Sequence, residues 1–102
     1  MRRETAEVVA MDAAVWMVEA DLMGAFLTET GTDAAALRAA LTGTAPDEAG
    51  ETARGEALAA TLDFLLQRDD WVRGAAAAAN VEPGRMMEAR AALPGGTSHH
   101  WT

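Results

Sequence analysis

TAEVVAMDAAVWMVEADLMGAFLTET, residues 5–30, is the stretch whose reading decides the fold. Val8, Met11, Val15, Val18 and Leu22 recur at spacings of three and four, the repeat that lines side chains along one face of an α-helix. Val9, Ala13, Trp16 and Met17 make a second apolar stripe beside it. The segment therefore predicts a helix that is apolar on two faces and central to the packing. Run as one rod at 1.5 Å per residue it would measure about 39 Å, too long for a chain of 102 residues. A break is expected at Ala20–Asp21, with Asp21 as the N-cap of a second helix.

Outward from this segment the punctuation is regular. Gly31 suits the left-handed position that ends a helix, and Asp33 then caps a third helix over 34–42 that carries Leu37 and Leu41 and closes at Gly43. TAPDEAGET, residues 44–52, is an acidic linker punctuated by Pro46 and Gly50. A fourth helix is expected over 53–68, burying Leu58, Leu62, Leu65 and Leu66, with Phe64 on an adjoining face. Asp69–Asp70 interrupts it and caps a fifth helix holding Trp71, Val72 and the alanines 75–79. Asn80 tolerates a left-handed turn. Pro83 opens the last helix, with Val81 and Met86 at the spacing of a hydrophobic staple. Pro94-Gly95-Gly96 stops that helix, and 97–102 form a flexible tail.

The two halves align at an offset of 49 residues: AVWMVEADLM (14–23) lies over DFLLQRDDWV (63–72), and Gly31 falls on Asn80. Twenty-five alanines and only 5% aromatic residues favour helix over strand. The expected class is all-α: a compact bundle of five or six helices built as two similar three-helix units, about 5–43 and 53–94, within a single domain spanning 1–96.

This layout resembles a family of small all-helical bacterial proteins, domain-of-unknown-function family 3572. The marks that carry the resemblance are Phe26-Leu27, Thr30-Gly31, Leu37-Arg38, Leu62-Asp63-Phe64-Leu65-Leu66 and the closing Ala92-Leu93-Pro94-Gly95-Gly96. Trp71 and the five-alanine run depart from the aliphatic, Phe-containing pattern there and thin the core of the fifth helix. The resemblance implies a helical fold across about 8–96 and brings no activity, cofactor or catalytic residue with it.

Several chemistries are excluded by residue types that are missing. The chain has no Cys, hence no disulfide, thiolate metal site or thiol nucleophile. Its eight cations are all Arg, so a Walker-type phosphate loop and Schiff-base chemistry are out. The histidines, His99 and His100, sit together in the tail beside Trp101, a poor metal site. Ser98 has no base or orienting acid that the sequence can place. Neither cofactor nor metal is expected. The net charge of −8 is concentrated in residues 1–51, which carry −7. Such a surface repels phosphate backbones and anionic lipid. Arg2-Arg3 precede Glu4 and Glu7 rather than a long apolar run, and no membrane-spanning stretch follows, so a cytoplasmic location is expected.

Two surface motifs remain. Residues 71–91 have the outline of a helix-turn-helix, in which Ala76 would mark the crossing and Arg85 and Arg90 would face phosphates. Gly84 weakens that helix, and the acidic field opposes nucleic acid. Adjacent Met86 and Met87 diverge by about 100° on a helix, so only one can point fully inward. Asp69–Asp70 and Asp47–Glu48 read as capping and solvating acids rather than as an acid–base pair. The sequence thus points to a non-enzymatic helical protein–protein interaction module. Its expected partner surface is Trp71, Met86 and Met87, facing a protein partner or a second copy. A nucleic-acid-binding regulator acting through the second helix-turn-helix-like unit is the alternative.

Overall fold

A computed structural model describes residues 1–42 and 48–93 of the chain. In order, the helices are α1 (Arg3–Glu19), α2 (Met23–Thr30), α3 (Ala34–Thr42), α4 (Glu48–Leu65), α5 (Asp69–Ala79) and α6 (Arg85–Ala92), with no strand among the described residues. The all-α expectation holds. Helix α1 is the hub: it packs against α3, α4, α5 and α6, while α2 and α3 lie on α4. The halves are therefore not separate packing bodies, because α1 spends most of its contacts on the second half of the chain. The Cα radius of gyration, 12.4 Å, matches the roughly 13 Å of a single domain of about this length.

The break between α1 and α2 falls where the stripe arithmetic places it, but Asp21 has the opposite role to the one expected. It adopts φ 62° as the left-handed residue that ends α1, and Leu22 stands at the N-cap of α2. The Asp21 N–H donates to the Val18 carbonyl at 3.1 Å and the Leu22 N–H to that of Met17 at 3.0 Å. Those two bonds make a Schellman motif. Asp is among the few non-glycine residues that tolerate this conformation, which is how the chain turns without Gly or Pro. Asn80 ends α5 in the same way, with Asn80 N–H on Ala77 and Val81 N–H on Ala76, and Gly31 (φ 70°) closes α2 with one bond to Leu27. Both left-handed turns expected at Gly31 and Asn80 are present.

Helix α3 has the expected bounds. Helix α4 starts earlier, at Glu48, so the second half of the expected linker is helical; 43–47, including Gly43 and Pro46, lie outside the described residues. Helix α4 also ends earlier, at Leu65. Asp69 and Asp70 sit inside the first turn of α5, next to the positive end of the helix dipole, with Arg68 at the N-cap. Pro83 lies two residues ahead of α6 in a turn closed by Met86 N–H on the Pro83 carbonyl. The expected stop at Pro94-Gly95-Gly96 and the tail with Ser98, His99, His100 and Trp101 fall outside the described residues.

Fully buried Met17, Phe26, Leu37, Leu58, Leu62, Phe64, Leu65 and Met86 supply the bulk of the core, and Leu66 is only half-buried. Alanine fills the rest: Ala6, Ala10, Ala13 and Ala14 on α1, Ala75 and Ala76 on α5. Small side chains on both helices let two backbones approach closely. Gly74 tightens that approach further, because a Cβ at this position would fall inside the Trp16 indole. The alanine run thus makes the α1–α5 crossing rather than thinning it.

Candidate interaction surface

Each of the three residues expected to form a partner surface has a distinct placement. Met86 is fully buried and belongs to the core. Trp71 is half-buried and stacks on Phe64 with ring centroids 4.9 Å apart, and Phe64 in turn meets Phe26 edge-on at 5.5 Å. The Arg68 guanidinium lies 5.0 Å from the Trp71 ring centroid, a cation–π distance. Trp71 is therefore a core-edge aromatic engaged by Phe64 and Arg68, and Met86 is corrected from surface to core. Met87 alone projects, at 68% exposure. It borders a hollow of about 350 Å³ lined by Leu66, Asp69, Val72, Pro83 and Gly84. The divergence of adjacent helical positions sends one methionine inward and the other out.

The larger apolar surface lies elsewhere. Besides Met87, the large hydrophobic residues most exposed are Val8 (57%), Val15 (46%) and Val18 (43%), all on the outer face of α1. Half-buried Met11 lies on the same line, its sulfur 3.5 Å from Arg54 Nη2. This is the first of the two stripes in residues 5–30. The spacing alone sends both inward; the structure buries Val9, Ala13 and Met17 and leaves Val8, Val15 and Val18 out. A helix flat against its neighbours on one side has an opposite side, and there Val8, Val15 and Val18 serve no core while Met11 packs partly against it.

The surroundings of the stripe are acidic. Asp12 and Glu19 flank it on one side and Glu7 on the other, with Glu4 and Asp21 at its ends. Glu7 is held by Arg3 at 3.2 Å and by Arg54, itself 8% exposed, at 3.4 Å. That pair ties α1 to α4.

The arginines of the helix-turn-helix outline are committed to carboxylates. Arg90 donates to Asp63 at 2.7 Å, joining α6 to α4, with its side chain 12% exposed. Arg85 lies 3.7 Å from Glu88, Arg68 lies 3.3 Å from Asp70, and Arg73 pairs with Asp69. Ala76 is buried as the crossing residue of that outline would be, but it packs in the core shared with α1.

Among the described residues, no three His, Asp or Glu side chains converge as metal ligands. A hollow of about 600 Å³ gathers Asn80, Glu82 and Arg85 with Ala77 and Val81, and its Asn, Glu and Arg are all exposed. No helix among the described residues is long and apolar enough to cross a membrane.

Comparison with known proteins matches residues 3–96 to the model of one family, described as "Protein of unknown function (DUF3572)". No curated protein and no solved structure matches the chain.

Proposed function

We propose that this chain, which belongs to the DUF3572 family, is a non-enzymatic helical module that binds another protein through the outer face of α1. The observation that carries the reading is the exposure of Val8, Val15 and Val18 in one line on a helix whose opposite face is the centre of the core. Single exposed apolar side chains are ordinary, whereas a contiguous row rimmed by charge is the usual mark of a recognition surface. The row needs no refolding to be used, because α1 is already fixed by four neighbouring helices. A preordered face loses little entropy on docking. Met87 and its hollow supply a second, smaller apolar feature for the same role.

Affinity purification of the tagged chain from its native cell, run beside Val15→Asp and Met87→Asp, tests this reading. A protein enriched by the parent chain and by Met87→Asp, but lost with Val15→Asp, is the expected result. Identical retention by all three chains would assign no role to the α1 face.

A further inference from the structure

We infer that the occupant of the α1 face is a basic amphipathic helix from a different protein, paired with α1 as in a short two-stranded coiled coil. The inference rests on the docking role proposed for that face and specifies the partner's chemistry.

The apolar positions fall at 8, 11, 15 and 18, spaced three, four and three. That is the a, d, a, d pattern of two heptads, in which a and d knobs fill holes on a facing helix. Leu22 occupies the next a position, one turn on, where α1 has already ended at Asp21. Helix α1 thus presents two heptads and no more. Val at both a positions supplies the β-branched knobs that suit a two-stranded pairing. The seam is a stripe rather than a broad face, which fits one helix lying lengthwise better than a sheet edge or a loop.

Charge then chooses between partners. The positions flanking such a seam are e, occupied by Asp12 and Glu19, and g, occupied by Glu7 and Ala14. In an antiparallel pair of two copies, e faces e and g faces g. The seam is symmetric about residue 13, so each Asp12 would come close to its own mate beside the axis. In a parallel pair e faces g, which sets Asp12 against Glu7, whose charge Arg3 and Arg54 already answer. The antiparallel arrangement of two copies opposes acid to acid and the parallel one brings Asp12 no uncommitted cation, and flanking charge is what sets partner choice in coiled coils. The flanking cations at this end, Arg3 and Arg54, already hold Glu7. A helix with Lys or Arg at its own flanking positions meets Asp12 and Glu19 favourably, and the net charge of −7 over residues 1–51 steers it toward the face.

Two synthetic helical peptides of three heptads (about 21 residues), both with Leu at a and d, one with Arg and Lys at e and g and the other with Glu there, are titrated against the full chain by fluorescence anisotropy. Sedimentation velocity of the chain alone runs in parallel. The basic peptide is expected to bind at least about tenfold more tightly than the acidic one and to weaken as salt rises. Val15→Asp should cost at least about tenfold in its affinity, and Asp12→Lys with Glu19→Lys should reverse the preference between peptides. Equal affinity for both peptides, still lost with Val15→Asp, would overturn the charge assignment while leaving the face a docking surface. Self-association abolished by Val15→Asp, without peptide binding, would make the occupant a second copy and overturn the inference alone. Peptide binding indifferent to Val15→Asp, or no binding and no self-association, would overturn the inference; the first of these would also remove the docking role.

Discussion

Val8 and Val9 are neighbours in sequence and opposites in fate: the first is 57% exposed and the second 3%. The same divide runs along all of α1, with Ala6, Ala10, Ala13 and Met17 fully buried on one face and Val8, Val15 and Val18 open on the other. Hydropathy does not explain it, since valine is more apolar than the alanines that go inward. Nor does volume alone, since Val9 and Met17 go inward with the alanines. The face decides: the buried side carries Ala6, Ala10, Ala13 and Ala14, which let neighbouring helices approach closely, and Gly74 on α5 leaves room beside it for the Trp16 indole. Met86 and Met87 repeat the contrast on α6, one fully buried and one 68% exposed. What a helix buries is decided by the shape of the surface opposite it as much as by its own pattern.

The largest expected effect breaks the inner side of the comparison. Met17→Ala removes a fully buried side chain from the α1 hub and should destabilise by about 2–5 kcal/mol in urea denaturation. Leu65→Ala, equally buried on α4, should fall in the same range of roughly 2–5 kcal/mol. Losses of about 0.5 kcal/mol or less would mean that neither helix face is core. A smaller effect sharpens the role of close approach. Gly74→Ala drives a methyl group into the Trp16 indole and should cost about 1–3 kcal/mol. Trp16→Leu should recover part of that loss, read as a coupling in a double-mutant cycle. Purely additive behaviour would show that the two residues do not share the space. The smallest effect is on the outer side. Val15→Asp should stay within about 0.5 kcal/mol of the parent in the same denaturation experiment, since the position is 46% exposed. A loss comparable to that of Met17→Ala would make the valine row part of the fold.

Much of this architecture is legible in the residues. Stripes at helical spacing locate the helices, and the length limit on a single rod finds the α1–α2 break. The left-handed preferences of Gly and Asn place the turns at Gly31 and Asn80. The role of Asp21 is misread because Asp serves both as an N-cap and as a left-handed residue, and sequence supplies no vote between them. The early start of α4 is hidden by Glu48, Gly50 and Glu51, which look like a loop although the helix runs through them. The exposed apolar face of α1 is missed for a deeper reason. Two apolar stripes on one helix are equivalent until the opposing wall is known, and that wall is built mostly from α4, α5 and α6, in the other half of the chain. Trp71, the most conspicuous side chain of the expected surface, is claimed by Phe64 and Arg68, and no local pattern announces that claim.

The absence of cysteine from the chain allows the two faces of α1 to be read side by side against a blank background. Single variants Val8→Cys, Val9→Cys, Val15→Cys and Met17→Cys are treated with a soluble aromatic disulfide under native conditions, and the rate of thiol modification is followed. Rapid modification at 8 and 15, with modification at 9 and 17 slowed to the rate at which the native state opens, is the predicted result. Protection at 8 and 15 equal to that at 9 and 17 would contradict the account, because the outer face of α1 would then already be covered.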